Sequence, residues 1–305
     1  MIRFVLPTML VLLTTSCAQR PLTPQSTDTV ATLPSAAEWL DCLRKTGGTI
    51  VSAHRGGPYP GYPENALETI RFVLDQAPNF PEIDISTSAD GTLFLFHDDA
   101  LDAKTTGRGL AAKTSWETLR SLKLVDEAGA ISAFNPVTLD DALRALTPHT
   151  IVELDLKAPT QASDIVAAVQ AQNLSHRVIY IAYNLEQALQ WQRLDPLATV
   201  SLSVFNWEDW RAVQASAIDL TRAVAFMAFS APDPTLIEAL HARGVEVIFG
   251  TLGWENSIDD QIAAGTAPYD YRDLAALGVQ IIATDRPIEA SADLPPTQCG
   301  APAEP

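Results

Sequence analysis

The chain is poor in positive charge and in cysteine. Its 305 residues carry 20 Lys and Arg against 37 Asp and Glu, a formal net charge of −17 at pH 7. Such a surface repels a phosphate backbone, which argues against nucleic acid as a partner. A small phosphate-bearing substrate stays open, because a cationic pocket or a bound metal inverts the field inside one cleft. Charged residues amount to only 19%, whereas hydrophobic residues reach 47%, ample for a large core. No repeat of fixed period is visible. The first β-rich run leads into His54-Arg55-Gly56-Gly57 and lacks G-x-G-x-x-G, so an open doubly wound sheet is only the second choice of fold. Residues 4–13 are apolar but too few to span a bilayer as a helix.

That short run reads as a targeting segment. Arg3 supplies a positive start, and Thr14-Thr15-Ser16 places small residues before Cys17. The pattern resembles a bacterial lipoprotein signal, with residues 1–16 removed and Cys17 lipidated; an ordinary cleaved secretory signal is the alternative. Residues 17–34 are rich in Pro, Thr, Ser and Gln and read as a tether. The expected location is the periplasmic face of a bacterial membrane, the outer membrane first, or outside the cell. Of the 3 cysteines, Cys42 and Cys299 remain, one near each end of the domain over 35–305. In an oxidising compartment they could pair and clip the termini together, with two unpaired thiols as the alternative.

Spacing predicts helices over 36–45 and 64–76, and strands over 49–53, 81–85 and 93–96. Farther on, apolar runs at 151–156, 178–181, 200–204, 224–229, 245–249 and 279–283 alternate with segments of helical spacing. Alternation of this kind means right-handed βαβ units and a parallel sheet. The turn at Asp90-Gly91 is too short for a parallel crossover, so 93–96 must fold back as a hairpin arm. Eight strands remain, the number that closes a (β/α)8 barrel.

Glu82 and Asp84 stand two apart on a strand and so point to one face. Two bare carboxylates there repel each other, and a hard divalent cation removes the conflict. Glu153, Asp155 and Lys157 share a face on a later strand and offer a third ligand. Glu153 lies roughly 7 Å deeper than Asp155, which makes Asp155 the expected one. His54 and His97 each follow an apolar run, placed to take and give a proton. Arg55 and Lys157 add positive charge suited to a phosphate. The sum fits phosphodiester cleavage by electrostatic stabilisation and acid–base work.

These residues carry a resemblance. His54-Arg55-Gly56, Pro63-Glu64-Asn65, Glu82-Ile83-Asp84, His97-Asp98, Asp155-Leu156-Lys157 and Thr284-Asp285-Arg286-Pro287 are similar, in order and spacing, to the glycerophosphodiester phosphodiesterase family. The resemblance spans about residues 50 to 290. It implies a TIM-like barrel with an insertion after the second strand, and Ca2+ or Mg2+ dependence. It also implies release of glycerol 3-phosphate and an alcohol from a small phosphodiester. Carried over residue by residue, His54 and His97 are the acid/base pair, and Glu82, Asp84 and Asp155 the metal ligands. Arg55, Lys157 and Asn65 fall on the substrate side. Where the family usually has Glu two before the strand lysine, this chain has Asp155, shorter by a methylene.

Two rival readings stay open. One is a phospholipase D-like or phosphatidylinositol-type enzyme acting on lipid, for which Trp207, Trp210 and Trp254 are candidate ridge residues. The other is a catalytically inactive, anchored binding protein. A monomer is expected in each case.

Overall fold

The computed structural model describes residues 34–147, 150–227, 231–253 and 255–299. The expected signal segment, Cys17, most of the tether and Trp254 lie outside the described residues. Among the described residues nine strands run in chain order: β1 (Ile50–Ala53), β2 (Asn79–Thr87), β3 (Leu93–Leu95), β4 (Val152–Leu156), β5 (Val178–Ala182). After these come β6 (Thr199–Ser203), β7 (Ala223–Phe226), β8 (Glu246–Gly250) and β9 (Ile281–Thr284). Eight of them pair in parallel in the order β1-β2-β4-β5-β6-β7-β8-β9, and β9 returns to β1. The closed barrel expected from the alternation is present. β3 is the ninth strand and pairs antiparallel with β2, Ile85 opposite Leu95, as a hairpin arm.

Closure leaves the eight parallel strands without an edge, so they are buried on both faces. Helix α1 (Ala36–Thr46) precedes the barrel. Its Trp39, Leu40 and Leu43 pack with Ile50, Phe80, Ile151, Ile179, Val224 and Ile281, residues at or near strand starts. Thus α1 plugs the N-terminal end. A capping box between Ser35 and Glu38 starts it, and Gly47 ends it in the left-handed region at φ 68°. Cys42 of this helix and Cys299 form a disulfide, with Cα atoms 5.9 Å apart.

Two departures from expectation bear on the site. The helix expected over 64–76 is α2 (Leu67–Gln76), because Asn65 sits at φ 56° and Ala66 is extended. The late start releases the Glu64 and Asn65 side chains to point at the strand ends. The apolar spacing of Leu139, Ala142, Leu143 and Leu146 also makes a helix, Leu139–Leu146, that the sequence reading passed over. It leads from the insertion, residues 96–138, into β4. The insertion packs a small core of Phe96, Leu101, Ala111 and Leu119 against Phe94 of β3. Among the described residues, no helix is long and apolar enough to cross a membrane.

Candidate active site

The C-terminal strand ends gather nearly all the chemistry. Leaving β1, the chain makes a tight turn in which Arg55, Gly56 and Gly57 all have positive φ, at 50°, 79° and 77°. A Cβ on Gly56 would come 2.5 Å from Ile70, and one on Gly57 would come 2.6 Å from Pro287. Only glycine fits both positions. The turn aims the Arg55 backbone N–H at Glu82 Oε2, 2.7 Å away, and its guanidinium at Glu64 Oε2, 2.9 Å away.

β2 and β4 run side by side with Glu82 opposite Glu153 and Asp84 opposite Asp155. The register stacks four carboxylates in two tiers. Ligand atoms of Glu82, Asp84 and Asp155 all lie within 4.8 Å of one another, and all three residues are buried. Lys157 Nζ reaches over them, 3.0 Å from Asp84 Oδ1 and 2.6 Å from Asp155 Oδ2. Asn65 clasps Asp84, donating from Nδ2 at 2.6 Å and accepting the Asp84 N–H at 2.9 Å.

Burial, with Asp84 and Asp155 close by, holds the Glu82 carboxyl well above its ordinary value. Burial likewise raises Asp155, although Lys157 opposes it. Asp84 goes the other way: burial would raise it, but Lys157, His97, Arg55 and Asn65 together pull it down. Deeper, burial pushes Glu153 up to about 7 against a hydrogen bond from Ser52. A set of buried carboxylates that crowd one another's ionisation is suited to a hard cation. One further detail agrees. Asp155 Oδ1 is buried and has no hydrogen-bond partner, an acceptor left over for a cation.

Each histidine is backed by a carboxylate. His54 Nδ1 lies 2.6 Å from Asp285 Oδ1, and His97 Nδ1 lies 2.8 Å from Asp98 Oδ1. A carboxylate there favours the proton on Nδ1 and leaves Nε2 as the nitrogen for proton transfer. Asp285 is itself held by the Gly253 N–H on Oδ2, while its own N–H donates to the buried Asp259. Burial alone would raise Asp285, but the hydrogen bond and charge of His54 outweigh it and the net shift is downward. His97 arrives from the hairpin arm, where the Phe96 N–H donates to the Asp84 carbonyl at 3.0 Å.

Comparison with known proteins agrees with this geometry. Residues 54–289 match the model of the glycerophosphoryl diester phosphodiesterase family. The chain belongs to that family. A glycerophosphoryl diester phosphodiesterase structure from Parabacteroides distasonis superposes with a TM-score of 0.77 and 26% identity, over 88% of this chain and 96% of that one. A glycerophosphodiester phosphodiesterase of Caldanaerobacter subterraneus is 23% identical over 227 residues, 71% of this chain and 91% of its own length. An Oleispira antarctica phosphodiesterase, solved with the product sn-glycerol-3-phosphate, shares the fold at a TM-score of 0.62 and 20% identity. That match covers 82% of this chain and 98% of the other. Glycerophosphodiester hydrolysis is the activity that goes with the family.

Every expected site residue sits at this end of the barrel. His54, Arg55, Glu82, His97, Asp155 and Lys157 line one cavity of about 710 Å³. Asp84 and Asn65 lie just behind this lining, with Asn65 beside the acidic cluster. Its amide is spent on Asp84, and it is 2% exposed. Glu64, Lys104, Asp285 and Tyr183 were not singled out for a role by sequence reasoning. Lys104, from the insertion, is 3.0 Å from Glu64 Oε2 and so helps to fix the partner of Arg55. Glu64 and Asp285 stood in the quoted motifs without a role. Nothing local in the sequence marks Lys104 or Tyr183.

The cavity has two unlike halves. Its charged lining comes from β1, β2, β4 and β9, the turns that follow them and the insertion. From β5 to β8 and the loops after them come Ile181, Tyr183, Ser203, Phe205, Phe226 and Leu252, with no charged side chain. Trp207 is half-exposed nearby in sequence, whereas Trp210 is buried in the core.

Proposed function

We propose that the chain is a divalent-cation-dependent enzyme that hydrolyses glycerophosphodiesters to glycerol 3-phosphate and an alcohol. The observation that carries it is the buried triad Glu82, Asp84 and Asp155 lying beside two histidines, each backed by a carboxylate. Ca2+ or Mg2+ held by those three residues would supply a Lewis acid that neutralises charge building on the phosphoryl oxygens. Arg55 and Lys157 bind the phosphate and hold it in place. One histidine takes the proton of the attacking water through Nε2. The other gives a proton to the departing alcohol oxygen as its bond to phosphorus breaks. Asp285 and Asp98 keep both rings in the required tautomer. Asn65 keeps Asp84 in register.

We also propose that residues 1–16 are a signal segment and that Cys17 carries a lipid anchor at the periplasmic face of a bacterial membrane, on a monomeric protein. The small residues before Cys17 support the anchor, and the Cys42–Cys299 disulfide supports an oxidising compartment. The apolar half of the cavity favours a second reading of the substrate, a diester that also carries an apolar chain, such as a lysophospholipid.

The test is turnover of glycerophosphocholine with and without chelator. Activity should vanish on chelation and return with added Ca2+ or Mg2+. His54→Ala and His97→Ala should each lower the rate about 10²–10⁴-fold. Near-native turnover in both variants sinks the acid/base assignment, and no turnover at all in the wild type favours an anchored binding protein.

A further inference from the structure

We infer that Tyr183 is a positioning residue for the cation site, its hydroxyl pinning Asp155 so that one carboxylate oxygen stays free for a divalent ion. The inference rests on the cation reading above and concerns how this chain builds that site.

Asp155 is a short acid among buried neighbours, so the rotation of its carboxylate decides what it presents. Oδ2 is the target of two donors: Lys157 Nζ at 2.6 Å and the Tyr183 hydroxyl. Oδ1 has none and is buried. Rotating the carboxylate out of this plane would cost both hydrogen bonds, so the two donors fix the direction in which the free oxygen points. Lys157 cannot do this alone, because its ammonium is shared with Asp84 at 3.0 Å. A flexible amine shared by two acids restrains the Asp155 carboxylate less than a donor committed to it alone. The tyrosine is a rigid arm just past the end of β5, and its hydroxyl donates to Asp155.

Its mounting is rigid as well. Tyr183 directly follows β5. Its backbone N–H donates to Gln187 Oε1 at 2.9 Å, and the next residue, Asn184, caps the helix Leu185–Leu194. The ring itself is not core: Tyr183 is 56% exposed and forms part of the cavity wall. An exposed ring whose one polar atom is turned inward onto a candidate ligand contributes little packing. Removing the hydroxyl should therefore touch the site and spare the fold. Partners of this kind around metal ligands typically account for 10–100-fold in affinity.

The experiment is calorimetric titration of CaCl2 and MgCl2 into purified wild type, Tyr183→Phe and Tyr183→Ala, with thermal unfolding of the ion-free proteins as the control on folding. Tyr183→Phe should bind the ion about 10–100-fold more weakly than wild type while unfolding at the wild-type temperature. Tyr183→Ala should show the same loss, since the hydroxyl and not the ring is responsible. Wild-type affinity in Tyr183→Phe overturns the inference, as does a loss seen only in Tyr183→Ala. A wild type that binds neither ion overturns the cation reading and this inference together, a result distinct from the other two.

Discussion

The two halves of the cavity are built on the same strand ends of the same barrel, yet they follow opposite rules. On the β2–β4 side, inward positions hold Glu82, Asp84, Glu153 and Asp155, all buried. On the β5–β8 side, the cavity-lining strand positions are Ile181, Ala182, Ser201, Ser203, Phe226 and Ile248. Buried charge is unfavourable unless each charge has a partner. The charged half is accordingly dense with partners: Lys157 on two carboxylates, Arg55 on Glu64 and Asp84, Asn65 on Asp84, Ser52 on Glu153. The apolar half needs no such pairing, and at its exposed rim, as at Phe205, it can vary in shape at little cost in stability. On the proposed function, reaction chemistry falls to the charged half and choice of substituent to the rim of the apolar half.

The strongest challenge to this contrast is Lys157→Met. Lys157 is largely buried and balances Asp84 and Asp155, and those two acids hold its own pKa up against the effect of burial. Removing one partner of such a cluster leaves an uncompensated charge, at a cost of about 3 kcal/mol or more. Thermal unfolding should show that loss without added ion and a partial recovery with Ca2+. Turnover should drop about 10²–10³-fold, the range for removing a donor to developing oxyanion charge. An equally stable variant would mean that the charged half does not depend on its internal balance.

How far the sequence led is clearest in this half. Glu82 and Asp84 are legible because a strand has a period of two, and Asp155 and Lys157 because the same rule applies on β4. The eight-strand count was legible because a closed barrel buries both faces of every strand. What stayed hidden depends on register and loop path. Tyr183 meets Asp155 only because β4 and β5 are neighbours, and Lys104 meets Glu64 only through the insertion. Asn65 was visible, but its direction was not. That depended on a left-handed residue just before α2, a conformation Asn tolerates and the helical spacing concealed. The helix at Leu139–Leu146 was missed although its apolar spacing is regular, since no strand count required an element there.

A smaller effect sharpens the contrast through pH. Asp285 is held below its ordinary value of 3.8, its pairing with His54 outweighing burial. An acid lowered in the fold stabilises above its unfolded pKa, and that contribution is lost as pH falls through the folded value. Wild type should therefore resist urea better than Asp285→Asn at pH 7, with the gap closing below pH 3.8. Turnover in the variant should fall on the order of 10²-fold, since His54 loses the carboxylate that fixes its tautomer. A stability gap that persists unchanged in acid would show that the Asp285 side chain acts through its hydrogen bond from the Gly253 N–H and not through its charge.

The smallest effect is expected in the apolar half, at Phe205. This ring is 52% exposed at the cavity mouth and meets Phe226 edge-on, centroids 6.3 Å apart. A ring so exposed contributes little to folding, so Phe205→Ala should unfold close to the wild-type temperature. What it supplies is an apolar wall, and the measure of that is a ratio. If substrates with an apolar chain lie along this wall, kcat/KM for lysophosphatidylcholine should fall about tenfold relative to kcat/KM for glycerophosphocholine, the scale of losing one apolar contact in a pocket. An equal fall for both substrates would mean that Phe205 shapes the whole cavity, and the division into a reacting half and a selecting half would fail at that residue. An unchanged ratio with a lower unfolding temperature would make the ring a packing residue, and the lipid-like substrate would lose its main structural support.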